Sequence, residues 1–152
     1  MSFSAADGRT QLLEVVGRAA DHLSVALGLL SAAYDLLDET TAEHLEEEVF
    51  RPVQRAYGGI RRTHSEFAAR HDLPARDFAT SPEGAPARGM QGLLESAVGE
   101  VLAADGELAT LQDSMLPVEV GDEELRAGLT DVRARLAVVP GAARKMMRTF
   151  GR

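Results

Sequence analysis

The most constraining feature of this chain is an apolar repeat in alternating steps of three and four residues. It occurs in three separate stretches, and no polar residue interrupts any of them. Such a seam lies along one side of an α-helix and fits a facing helix at a shallow crossing angle. The seams are Leu12, Val16, Ala19, Leu23, Ala26, Leu30, Ala33, Leu37; Met90, Leu94, Ala97, Val101, Ala104, Leu108, Leu111, Met115; and Leu125, Leu129, Val132, Leu136, Val139, Ala143, Met146, Phe150. The sequence therefore predicts an all-α fold of long helices packed side by side.

Residues 1–152 are predicted to form a single bundle domain. The segments between the seams divide this domain into four helices. The predicted helices cover about residues 10–38, 41–71, 86–116 and 122–150, with a proline-rich linker at 72–87. Pro140 and Gly141 interrupt the last helix without shifting its seam, so we expect a kinked but continuous helix there. Two short connections and one long one favour an antiparallel up-down-up-down four-helix bundle.

The second predicted helix is the irregular one. Its apolar line runs Leu45, Val49, Val53, Ala56, Ile60, His64, Phe67, His71. Pro52 removes one backbone hydrogen bond, so we expect a kink at that residue. Thr40 and Glu43 have the spacing of a capping box, which predicts that the helix begins there.

Composition narrows the possible partners. The chain has no cysteine, which excludes disulfides and thiolate metal sites and suits a cytoplasmic location. Its net charge of −8 argues against nucleic acid, which needs a basic surface. The longest apolar run, Leu23 to Tyr34, is shorter than the ~20 residues that span a bilayer. We therefore expect neither nucleic acid nor membrane as a partner.

Motifs for catalysis or metal binding are missing from the sequence. A di-iron bundle needs inward glutamates and Glu-x-x-His, but no acidic residue here is followed by histidine three residues later. Zinc-protease, phosphate-loop and serine-hydrolase motifs are also absent. The sequence predicts no catalytic residue, no metal ligand and no cofactor, and it favours a non-enzymatic protein.

A strip of small residues marks the back of the third predicted helix. Its members are Gly92, Ser96, Gly99, Ala103, Gly106 and Thr110. Small side chains let another helix approach closely. Each mid-helix glycine otherwise destabilises the helix by about 1 kcal/mol relative to alanine. The strip predicts an interface for self-association or for a protein partner, although a general excess of glycine and alanine explains it as well.

A second candidate site lies on the second predicted helix. Phe50, Tyr57, His64 and His71 recur every seven residues, and the two histidines are the only ionisable residues on any of the four apolar lines. They indicate a polar pocket in which Tyr57 and His64, with Tyr34 opposite, contact a small ligand. The alternative is a purely structural histidine. The sequence thus ranks a self-associating interaction or scaffold protein, most simply a homodimer, before a small-molecule-binding bundle.

Overall fold

The computed structural model describes residues 4–78 and 89–150, and these ranges contain helices and no strand. The elements are α1 (Ala5–Tyr34), α2 (Glu39–Leu45), a π-helical segment (Glu46–Phe50), α3 (Arg51–Arg70), α4 (Met90–Asp113), α5 (Leu116–Glu119), α6 (Glu123–Ala137) and α7 (Val139–Phe150). The prediction of an all-α fold is confirmed. Most of the predicted linker, from residue 79 to 87, lies outside the described residues.

The predicted seams form the core. Every seam residue within Leu12–Ala33, Leu94–Leu111 and Leu125–Met146 is buried. Met115 is different, because it is exposed and has a left-handed backbone with φ of 66°. Its placement on the second seam is wrong, since α4 has already ended and the chain turns there. The Phe150 side chain lies outside the described part of the molecule.

The connection between α1 and α2 differs from the prediction. α1 ends at Tyr34, and Asp38 has an extended backbone just before α2. The Asp38 carboxylate accepts a hydrogen bond of 2.8 Å from the Thr41 amide, and this bond lowers the pKa of Asp38. Asp38 therefore caps the second helical region, and the capping box predicted for Thr40 and Glu43 is wrong.

The region around Pro52 is a widened helical turn. The π-helical segment precedes the proline, and the Arg51 amide donates to the Glu46 carbonyl, five residues back. A proline deprives the carbonyl four residues earlier of its donor, and the wider turn is one way to accommodate that loss. Helical backbone angles continue through Leu45, Phe50 and Arg51. A kink at Pro52 stays a prediction.

The last predicted helix is divided in two. α6 and α7 are separated only by Val138, whose backbone remains right-handed helical. The Ala142 amide still donates to the Val138 carbonyl at 3.3 Å. Pro140 is tolerated because it lies in the first turn of α7, where its missing amide has no helical partner to lose. The prediction of one continuous helix is therefore corrected, although Leu136 and Val139 on either side keep the seam buried.

Polar pairs between α1 and α4 show the relative direction of these two helices. Arg18 contacts Glu107 at 3.2 Å, and His22 contacts Glu100 at 2.7 Å. Because the partner number falls as the α1 number rises, these two helices run in opposite directions. An up-down-up-down bundle has its first and third helices parallel, so the predicted order of helix directions is wrong. α1 packs most extensively against α4 and also against α3, and α4 makes a smaller contact with α7.

Asp122 joins the end of α3 to the start of α6. Its carboxylate accepts two hydrogen bonds from Arg70, at 2.8 and 2.9 Å, and one contact of 3.0 Å from His71. It also caps α6 by accepting from the Leu125 amide at 2.8 Å. Partial burial raises the pKa of Asp122, but the bonds from Arg70, Leu125 and His71 outweigh it and hold the pKa well below its usual range. This cluster fixes α3 against α6.

Candidate functional site

A cleft of about 450 Å³ lies between the first half of α1, the end of α3 and the segment that follows α3. The α1 wall consists of Thr10, Leu13, Glu14, Arg18 and Asp21. Residues at these spacings share one side of a helix, so one face of α1 supplies both charged groups and a buried leucine. The cleft is therefore amphipathic along this wall.

A tight helix end positions the opposite wall. Asp72 has a left-handed φ of 54°, and the Leu73 amide donates to the Ala68 carbonyl at 2.8 Å. This six-to-one bond is the hallmark of a Schellman motif, which ends a helix and reverses the chain. The reversal places Leu73, Pro74 and Arg76 on the rim of the cleft.

Arg76 closes one end of the cleft. Its Nη2 atom donates to both carboxylate oxygens of Asp21, at 2.9 and 2.7 Å. Its guanidinium also lies 5.0 Å from the centre of the Phe78 ring, within the range of a cation–π contact. The Nη1 atom of this guanidinium lies against Gly17, so a Cβ atom at position 17 would require the end of the Arg76 side chain to shift.

His64 is the one predicted site residue that lines the cleft. Only 3% of the residue is exposed, and its ring meets the Phe78 ring edge-on at 5.2 Å. Its Nδ1 atom is sealed from solvent and has no hydrogen-bond partner within the described ranges. Burial lowers the pKa of His64, and the positive charge of Arg76 lowers it further. The imidazole is therefore neutral at pH 7.

The chemistry available in the cleft suits binding. A neutral imidazole has one donor and one acceptor, the guanidinium of Arg76 adds donors, and Glu14 adds an anionic acceptor. Leu13 and Leu73 supply apolar surface. Within the described ranges, no group of three or more histidine, aspartate or glutamate side chains is placed to hold a metal ion. A few polar groups in an apolar setting are typical of small-ligand pockets.

The structure separates the other two predicted pocket residues from His64. Tyr57 is half-buried on α3 beneath the Arg61 guanidinium, 5.2 Å from its ring centre, and it does not line the cleft. Tyr34 lies near the far end of α1, beside Phe50, in a different cavity of about 270 Å³. The structure thus brings neither tyrosine to the histidine.

Three polar residues of the cleft are not predicted as site residues from the sequence: Glu14, Asp21 and Arg76. Glu14 and Asp21 were visible as polar residues on one face of a predicted helix. No sequence signal pairs Asp21 with Arg76, because 55 residues separate them along the chain. Their contact depends on the chain reversal at Asp72.

The predicted interface residues lie on the solvent side of α4. Gly99, Gly106 and Thr110 are exposed, and Gly92, Ser96 and Ala103 are half-buried. Space is open in front of Gly99 and Gly106, where a Cβ atom would meet no neighbour within 4 Å. Leu102 lies between these glycines along the helix and is 54% exposed. We call this surface, from Gly92 to Thr110, the α4 face.

Comparison of the chain with protein-family models, curated proteins and solved structures finds no match. Within the described ranges, no helix is both long enough and apolar enough to cross a membrane. The functional assignment therefore depends on the geometry of the cleft and the α4 face.

Proposed function

We propose that this protein binds a small molecule in the cleft around His64. The observation that carries the proposal is the Nδ1 atom of His64, which has no hydrogen-bond partner among the described residues although His64 forms part of the cleft wall. Buried polar groups are almost always hydrogen-bonded, and an orphaned one destabilises the fold by about 1–3 kcal/mol. Because Nδ1 is sealed from solvent, a ligand reaches it only when a group that covers it moves, and a hydrogen bond from the ligand then offsets that penalty.

Blocking the cleft tests this function. Thr10 is an exposed cleft residue, so Thr10→Trp fills the mouth without disturbing the core. We expect ligand-observed NMR to detect fragments that bind the wild type and fail to bind Thr10→Trp, because the indole excludes them. Thr10→Ser is the matched control and should retain binding. Fragments that bind all three proteins equally, or no binding fragment at all, would contradict the proposal.

We also propose that the helices form a four-helix bundle, with the direction order up-down-down-up in place of the up-down-up-down order expected from the sequence. In this arrangement α2, the π-helical segment and α3 make the second helix, and α6 with α7 makes the fourth. α1 and α4, the first and third helices, run in opposite directions. α3 and α6 also run in opposite directions, because Arg70 pairs with Asp122 while Gly59 lies beside Val132. The short connection between α1 and α2 makes the first two helices antiparallel. The cleft then lies at one end of the bundle, beside the chain reversal that follows α3.

A second candidate function is self-association through the α4 face. It would make the protein a non-enzymatic interaction or scaffold protein, most simply a homodimer. Leu102 favours this function because an exposed leucine flanked by glycines offers apolar surface where a second helix can approach closely. The net charge of −8 supports a protein partner over nucleic acid. A cytoplasmic location stays a prediction from the absence of cysteine.

The second candidate predicts a change of mass on one substitution. Gly99→Leu places a branched side chain on the α4 face, and we expect it to weaken the dimer at least about tenfold, or ~1.4 kcal/mol. Gly141→Leu is the matched control, because Gly141 is another helical glycine with open space in front of it. Sedimentation velocity should show a smaller species for Gly99→Leu alone. A monomeric wild type would exclude this interface. A dimeric wild type would also exclude it if Gly99→Leu and Gly141→Leu have equal masses.

A further inference from the structure

We infer that the cleft takes a small zwitterion with an apolar side chain, of which an apolar amino acid is the simplest example. The inference rests on the proposed small-molecule function and adds the chemical class of the ligand. It follows from the two signs of charge and the apolar wall that meet in one cavity of about 450 Å³.

The arginines on the positive side of the cleft have N–H groups that form no hydrogen bond to a described residue. Arg76 contacts Asp21 through Nη2 and lies with Nη1 against Gly17, and its Nε forms no hydrogen bond to any described residue. Arg18 contacts Glu107 through Nε and Nη2, which leaves its Nη1 atom. Guanidinium groups bind carboxylates by charge-assisted hydrogen bonds. The two arginines can therefore receive a ligand carboxylate without losing their existing partners.

The negative side of the cleft is Glu14. Its carboxylate is exposed and makes no ion pair with another described residue. Glu14 precedes Arg18 by one helical turn, and side chains at that spacing have Cβ atoms about 5–6 Å apart. The ammonium and carboxylate groups of one small molecule can bridge this distance, with the ammonium group at Glu14 and the carboxylate at Arg18 or Arg76.

The remaining wall has room for an apolar group and a hydrogen bond. Leu13, Leu73 and Pro74 supply apolar contact. His64 is neutral, so it bonds a polar ligand group without adding charge.

Charge complementarity selects the zwitterion over simpler ions. A simple anion would face repulsion from Glu14 and Asp21. A simple cation would face repulsion from Arg18 and Arg76. Only a ligand with both charges is matched on both sides, and such matching sets specificity.

Isothermal titration calorimetry with matched compounds tests the inference. The probes are leucine, valine and phenylalanine, together with three leucine analogues: 4-methylpentanoate lacks the ammonium group, 3-methylbutylamine lacks the carboxylate, and 4-methylpentanamide is neutral. We expect at least one amino acid to bind the wild-type protein, and we expect leucine to bind at least about tenfold more tightly than each analogue, because each analogue loses a charge-assisted contact.

Substitutions of exposed glutamates complete the test. Glu14→Gln should weaken the binding of leucine at least about tenfold, and it should strengthen that of 4-methylpentanoate because it removes a repulsion. Glu43→Gln, an exposed glutamate on α2, is the control and should bind like the wild type. An analogue that binds as tightly as leucine would overturn the zwitterion and leave the binding function intact. Failure of all three amino acids would also overturn it, and the fragment experiment with Thr10→Trp then decides separately whether the cleft binds any small molecule.

Discussion

Asp122→Ala is expected to lower the free energy of unfolding by about 2–4 kcal/mol. The substitution removes the N-cap of α6 and, in the same step, the carboxylate that pairs with Arg70 and His71. The Asp122 side chain is only 21% exposed, so solvent compensates little of the loss. Equilibrium urea denaturation, followed by circular dichroism at 222 nm, measures the change.

Asp122→Asn separates the two contributions of this residue. Asparagine is as good an N-cap as aspartate but lacks the charge, so this variant should lose clearly less stability than Asp122→Ala. Because the folded pKa of Asp122 lies below its unfolded value, its ionic contribution is present above pH 4 and decreases as the pH falls further. No loss for Asp122→Asn, or a loss below ~1 kcal/mol for Asp122→Ala, would show that the ionic cluster does not fix α3 against α6.

His64→Leu is expected to raise the free energy of unfolding by about 1–2 kcal/mol at pH 7 while abolishing ligand binding. Leucine fills a similar volume and removes the Nδ1 atom, which has no hydrogen-bond partner in the described part of the chain. His22→Leu is the matched control, because His22 lies against Glu100 at 2.7 Å and its replacement removes a formed contact. Only the substitution at His64 should stabilise the protein. Stability that is lost in both variants would mean that the imidazole of His64 is satisfied in the free protein.

The same substitution should change the pH dependence of stability. The folded pKa of His64 lies below its ordinary value of 6.5, because of burial and of Arg76, so the unfolded chain takes up the proton first. Stability of the wild type should therefore fall as the pH drops below about 6.5, and this component should vanish in His64→Leu. The stability advantage of His64→Leu, which is its free energy of unfolding minus that of the wild type, should therefore grow as the pH falls from 7 to 5. An advantage that stays constant over this range would contradict a depressed pKa at His64.

The core was predictable because burial repeats with the helix. Leu12–Ala33 and Leu125–Met146 follow the repeat and are buried. The ends of the helices were less predictable, since several residues compete to cap them. Asp38 caps the second helical region although Thr40 had the better motif. The break at Val138 was also missed, because the seam continues through it.

The site was predictable only where a residue violates the core pattern. His64 stood out as an ionisable residue on an apolar line, and the structure places it in the cleft wall. Asp21 and Arg76 lie outside any repeat, and the left-handed residue Asp72 brings them together. A contact between residues that lie far apart in the chain cannot be predicted from a single sequence. Tyr34 shares no wall with His64 because it lies near the opposite end of α1.

A crystal structure from crystals soaked in a fragment library would show where on this protein small molecules bind. We expect fragments clustered in the cleft, with a polar atom within hydrogen-bond distance of the His64 imidazole. A cleft without fragments, in crystals that hold them at other surfaces, would contradict the proposed binding function. A cleft filled by a side chain that bonds Nδ1 of His64 would contradict it equally, because the histidine would then be structural.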